Sequence, residues 1–98
     1  MKRPKVSISV ATYNHEKYIS RALDSILMQE VNFDYEIVVG EDCSTDNTRR
    51  IILDYQEKYP NKFKLLLQES NVGMLENLKQ LVLQCNGQYV AKLEGDDY

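Results

Sequence analysis

A chain of 98 residues suits one small domain or part of a larger one. Its 43% apolar content supports a modest core and argues against disorder. The 12 basic and 15 acidic residues give a net charge of −3. No basic block stands out, so nucleic acid is not an expected partner. Lys2, Arg3 and Lys5 form a short basic start that reads as solvated.

Cys43 and Cys85 form neither a C-x-x-C pair nor a zinc spacing. A reduced, cytosolic setting is the simplest reading. The N-terminus lacks the long apolar core of a signal peptide. No apolar run approaches the ~20 residues of a membrane span.

The first element is a buried strand over Val6–Ala11, rich in β-branched residues. A polar turn, Thr12–His15, follows. Lys17–Gln29 then carries Ile19, Ala22, Leu23, Ile26 and Leu27 at helical spacing, with Asn14 as the expected N-cap. Tyr35–Gly40 is the second strand. It runs into Glu41–Thr48, a turn dense in capping residues, where Ser44 or Thr45 is expected to cap a helix and Asp46 to favour its dipole.

That helix covers Thr48–Lys58, with Ile51, Ile52 and Tyr55 on one face and Pro60-Asn61 as the stop. Phe63–Gln68 is the third strand. Ser70–Gly73 is a loop, and Met74–Cys85 is a third helix expected to turn Leu75, Leu78, Leu81 and Val82 inward. Asn86-Gly87 ends it. The fourth strand, Gln88–Leu93, leads into the carboxylates Glu94, Asp96 and Asp97.

The order β-α-β-α-β-α-β predicts an α/β fold: a Rossmann-like, doubly wound, mainly parallel sheet. Strand order 3-2-1-4 would bring Thr12–His15, Glu41–Asp46 and Glu94–Asp97 to one edge. Ligands bind there in such sheets, beyond the carboxyl ends of the strands.

The acids at that edge are Glu41, Asp42, Asp46, Glu94, Asp96 and Asp97. Gathered without a cation they would repel, and a divalent metal held with a phosphate resolves that. The bland alternative is solvated turn residues; capping explains Asp46 well, but consecutive acids at Asp96 and Asp97 point to a ligand. Tyr13 could stack on a base or simply pack. Asp42 stands where an acid takes hydrogen bonds from a base or ribose in dinucleotide folds. His15 and Cys43 read as turn residues. Neither G-x-x-x-x-G-K-[ST] nor G-x-G-x-x-G occurs, so a diphosphate would need its positive charge from a metal.

KVSISVATYN, EIVVGEDCSTDNT, NVG before a helix and GQYVAKLEGDDY together resemble the N-terminal half of a family 2 glycosyltransferase of the GT-A fold. The resemblance covers about the whole chain. It implies that residues 1–98 are the nucleotide-sugar-binding part of that domain, ending after a D-x-D-type motif. Ala11 and Tyr13 would contact the base, Asp42 would hydrogen-bond it, and Asp96 would lie near the ribose and diphosphate. Asp97, with Asp96, would hold Mg²⁺ or Mn²⁺, and Glu94 would support them.

The implied donor is a UDP-sugar and the implied acceptor a saccharide or lipid-linked hydroxyl, with inversion. A general base is expected beyond Tyr98, so the fragment alone would be inactive. Work at the cytoplasmic membrane face is implied, and apolar surface left bare would favour self-association. Four departures stand out, the first being Glu94 in place of the first aspartate of the D-x-D motif. Glu41 replaces the first of two aspartates, and Cys43 replaces a frequent Gly or Asn. The third helix lacks the usual Arg, with Asn77, Leu78 and Lys79 nearby. A non-catalytic nucleotide- or metal-binding module, or a purely structural α/β domain, stays open on the residues alone.

Overall fold

The computed structural model describes residues 6–29, 34–87 and 89–94. Its elements follow the expected order: β1 (Val6–Thr12), α1 (Ile19–Leu27), β2 (Tyr35–Glu41), α2 (Thr48–Lys58), β3 (Phe63–Leu67), α3 (Met74–Leu83) and β4 (Tyr89–Glu94). The strands form one sheet in the order β3-β2-β1-β4, with every pairing parallel. Parallel neighbours require crossovers, and the three helices supply them.

Period-2 alternation splits the sheet into two unlike faces. On one face Val10, Ile37, Val39 and Phe63 pack against Ile19, Leu23 and Ile26 of α1 and Ile52 of α2. Full burial of such a side chain contributes roughly 1.5–3 kcal/mol. This layer is the main core, and the spacing of apolar residues in α1 and α2 anticipates it.

The other face is built mainly from small and polar residues, with Val38 buried among them. Ser7, Ser9 and Gly40 lie there, and α3 crosses β1 and β2 above them. A Cβ at Gly40 would come within 2.9 Å of Asn77 Oδ1, so glycine permits this close approach. The Nδ2 of Asn77 donates to the Gly40 carbonyl at 2.9 Å, while Gln68 Nε2 donates to Asn77 Oδ1 at 3.3 Å. These bonds satisfy a buried amide that would otherwise be costly.

The inward face of α3 therefore differs from the expected one. Leu81 is buried as expected, but the second buried residue is Asn77. Leu75 is 83% exposed and Val82 also reaches the surface. That sheet face carries Ser7, Ser9 and Gly40 with Val38 as its buried apolar residue, too narrow a bed for a leucine row, and hydrogen bonds from Asn77 help fix the helix. Among the described residues no helix is long and apolar enough to cross a membrane.

Two expected caps are also replaced. α1 starts at Ile19 with Tyr18 before it, and no side chain caps it. Asn14 instead adopts a left-handed φ of 53°, and its Oδ1 accepts from Thr45 N at 2.8 Å. At α2 neither Ser44 nor Thr45 caps. Asp46 Oδ1 accepts from Thr48 N at 2.9 Å and from Thr48 Oγ1 at 2.6 Å.

Candidate functional site

The loops after β1 and β2 are tied together. Asn14 N donates to Ser44 Oγ at 2.9 Å, and His15 N donates to Thr48 Oγ1 at 2.9 Å. Asp42 N donates to the Thr12 carbonyl at 3.0 Å, extending the ladder one step past the strands. These contacts hold the carboxyl-end rim of the sheet in one shape.

Between that rim and the start of α3 lies a cleft of about 310 Å³. Ala11, Tyr13 and Asp42, the residues to which the resemblance assigns the base, all line it. Tyr13 is 39% exposed, which leaves ring surface open to a ligand. Asp42 is buried, and its two carboxylate oxygens accept from Val72 N at 2.8 Å and Gly73 N at 3.0 Å.

The cleft has a second wall that the residues alone did not reveal. Asn71, Gly73, Met74 and Asn77 come from the loop before α3 and its first turn. NVG before a helix was visible as a motif, but not its contact with Asp42. Of the three positions near the place of the family's arginine, Asn77 lines the cleft. Leu78 and Lys79 line a different, outward groove with Leu75. His15 also lines the cleft, with Nδ1 2.9 Å from Thr12 Oγ1.

The acidic edge does not act as one group. Glu41 points to the opposite face from Asp42, is fully buried, and pairs with Arg49 Nε at 2.6 Å. Asp46 caps α2. Burial pushes its carboxyl up, but hydrogen bonds from the Thr48 hydroxyl and amide and the Glu16 amide hold it below its ordinary value. Among the described residues no three His, Cys, Asp or Glu side chains gather to hold a metal.

Asp96 and Asp97, the expected metal residues, lie outside the described residues. Glu94 is the last residue of β4, and its backbone pairs in register with Ala11 at the cleft. Sequence therefore continues from the cleft edge into the two aspartates. The described lining includes no Lys or Arg. A diphosphate at this rim would meet little positive charge from the lining, and the hard carboxylate oxygens of Asp96 and Asp97 suit Mg²⁺ or Mn²⁺.

Residues 7–98 match the sequence model of glycosyl transferase family 2. The chain belongs to this family. An uncharacterized protein of Mycobacterium tuberculosis is 41% identical over 93 residues, which are 95% of this chain and 27% of that protein. Poly(ribitol-phosphate) beta-N-acetylglucosaminyltransferase TarS of Staphylococcus aureus is 40% identical over 98 residues, covering 96% of this chain and 16% of TarS.

Solved structures agree with this family 2 assignment. TarS 1–349 in complex with UDP superposes with a TM-score of 0.83 at 35% identity, over 94% of this chain and 27% of that one. Mannosyltransferase PcManGT from Pyrobaculum calidifontis, in complex with GDP-Man and Mn²⁺, gives 0.83 at 27% identity, over 98% and 28%. The sheet is thus the N-terminal Rossmann-like half of a GT-A glycosyltransferase, and the chain spans between 16% and 28% of the length of these relatives.

Proposed function

We propose that the chain is the donor-binding part of a glycosyltransferase that moves a sugar from a nucleoside diphosphate, UDP, to an acceptor hydroxyl. The observation that carries this is the convergence of Ala11, Tyr13 and Asp42 on one cleft at the carboxyl edge of a family 2 sheet. The base lies against Ala11 and the Tyr13 ring, and the Asp42 carboxylate accepts an N–H from it. A carboxylate can accept up to about four hydrogen bonds, so its two backbone contacts leave room for the base. TarS complexes with UDP and with UDP-GlcNAc support a uridine donor, and the PcManGT complex supports the wider nucleotide-sugar class.

Asp97 and Asp96 would hold Mg²⁺ or Mn²⁺, Asp96 near the ribose and diphosphate, with Glu94 in support. When bound, the metal supplies positive charge to the leaving diphosphate. The protein itself holds the base and keeps the donor's orientation. Transfer forms a bond from the acceptor oxygen to the anomeric carbon and breaks the bond to the diphosphate, with inversion. The acceptor proton goes to a carboxylate base supplied by a further part of the enzyme. The acceptor is a saccharide or lipid-linked hydroxyl presented at the cytoplasmic membrane face.

Calorimetric titration with UDP, with and without Mn²⁺, tests the reading. Binding that requires Mn²⁺ and weakens at least about tenfold in Asp97→Ala supports it. A folded sample that ignores UDP and Mn²⁺ contradicts it and favours a structural α/β domain.

A further inference from the structure

Asp42 is held by main chain from two directions. Its own N–H is fixed on the Thr12 carbonyl of β1. Its carboxylate receives the N–H groups of Val72 and Gly73, and its carbonyl receives Asn71 Nδ2 at 3.2 Å. Three consecutive residues, distant in sequence, thus converge on one acid.

Gly73 makes that convergence possible. Its backbone has φ 91° and ψ 158°, a region essentially restricted to glycine. A Cβ there would meet nothing within 4 Å, so lack of space is not the reason for glycine. The reason is conformational. The chain must present two successive N–H groups to Asp42 and then turn at once into α3, whose Asn77 N–H bonds the Gly73 carbonyl at 2.9 Å.

We infer that Gly73 is a positioning residue for nucleotide recognition: together with Val72 it fixes the Asp42 carboxylate in the orientation that meets the base. The inference rests on the donor-site reading above and adds the loop before α3 to it. A carboxylate aligned before the ligand arrives loses little freedom on binding. If an L-residue replaces Gly73, the 72–73 peptide turns away and the carboxylate rotates, although no ligand contact has been removed.

The test uses the 98-residue chain, Mn²⁺, UDP and N3-methyl-UDP. The methylated probe lacks the base N–H that Asp42 would accept. Wild type should bind UDP about tenfold more tightly than N3-methyl-UDP. Gly73→Ala should lose most of that preference, weakening UDP about tenfold and N3-methyl-UDP less than about twofold. An equal loss for both probes, or no preference in wild type, overturns the positioning role.

Asn71→Ala leaves the glycine in place and serves if Gly73→Ala fails to fold. It should narrow the same preference, and an unchanged preference overturns the role. Wild type that binds neither probe defeats the donor-site reading, and the positioning role with it. Binding with equal losses defeats only the latter.

Discussion

The carboxylate of Glu41 and the guanidinium of Arg49 meet at 2.6 Å, with Glu41 fully buried. Arg49 Nη2 also donates to the Gln68 carbonyl at 2.6 Å, and Ser44 N donates to Glu41 Oε2 at 2.9 Å. Asp42, the next residue, faces the cleft. Two adjacent acids at the end of β2 thus have separate work, because strand alternation sends them to opposite faces. Arg49→Met should leave a buried charge without its partner and cost about 3 kcal/mol, read from urea unfolding. UDP affinity of the folded fraction should stay within about twofold of wild type.

Cys43 sits at φ 58°, a left-handed conformation that costs an L-residue roughly 1 kcal/mol. That explains why Gly or Asn suits this turn. Cys43→Gly should be neutral to about 1 kcal/mol stabilising, the relief of strain competing with glycine's extra chain entropy. Cys43→Val should destabilise by more than about 1 kcal/mol. Thermal unfolding of the two variants side by side separates them.

Gly40→Ala should push α3 off the sheet. The new methyl would meet the Asn77 amide, whose Oδ1 lies 2.9 Å from its position and which hydrogen bonds hold in place. Overpacking of this kind costs typically about 1–3 kcal/mol. Asn77 lines the cleft, so weaker UDP binding should accompany the loss of stability.

Asp46 makes stability depend on acid pH. Its folded carboxyl sits below the ordinary value. The stabilisation is therefore complete above the unfolded carboxyl's value and is lost as pH falls through the folded one. Between about pH 5 and pH 2, wild type should lose more stability than Asp46→Asn, which keeps an acceptor for Thr48 without the titration. Urea midpoints across that range give the comparison.

The element order and the strand order were readable because α1, α2 and the strands carry clean periodicity. Ala11, Tyr13 and Asp42 could be placed at one edge because parallel topology sends strand ends there. What escaped depends on partners far along the chain. Asn14 looked like a cap because its neighbours are local in sequence, yet its partner is Thr45. The leucines of α3 looked inward because helical spacing says nothing about the surface beneath, which here is mostly serine and glycine beside a single buried valine, Val38. Asn77 could have been suspected as a polar residue within an apolar row, and Gly73 as the glycine that opens a helix.

The most direct measurement is a ¹⁵N NMR titration of the chain with UDP and Mg²⁺, following every backbone amide. The donor-site account predicts shifts that cluster at Ala11, Tyr13, Asp42 and Gly73. Shifts centred instead on the groove of Asp24, Tyr55 and Tyr59 between α1 and α2, or none at saturating UDP, would contradict it.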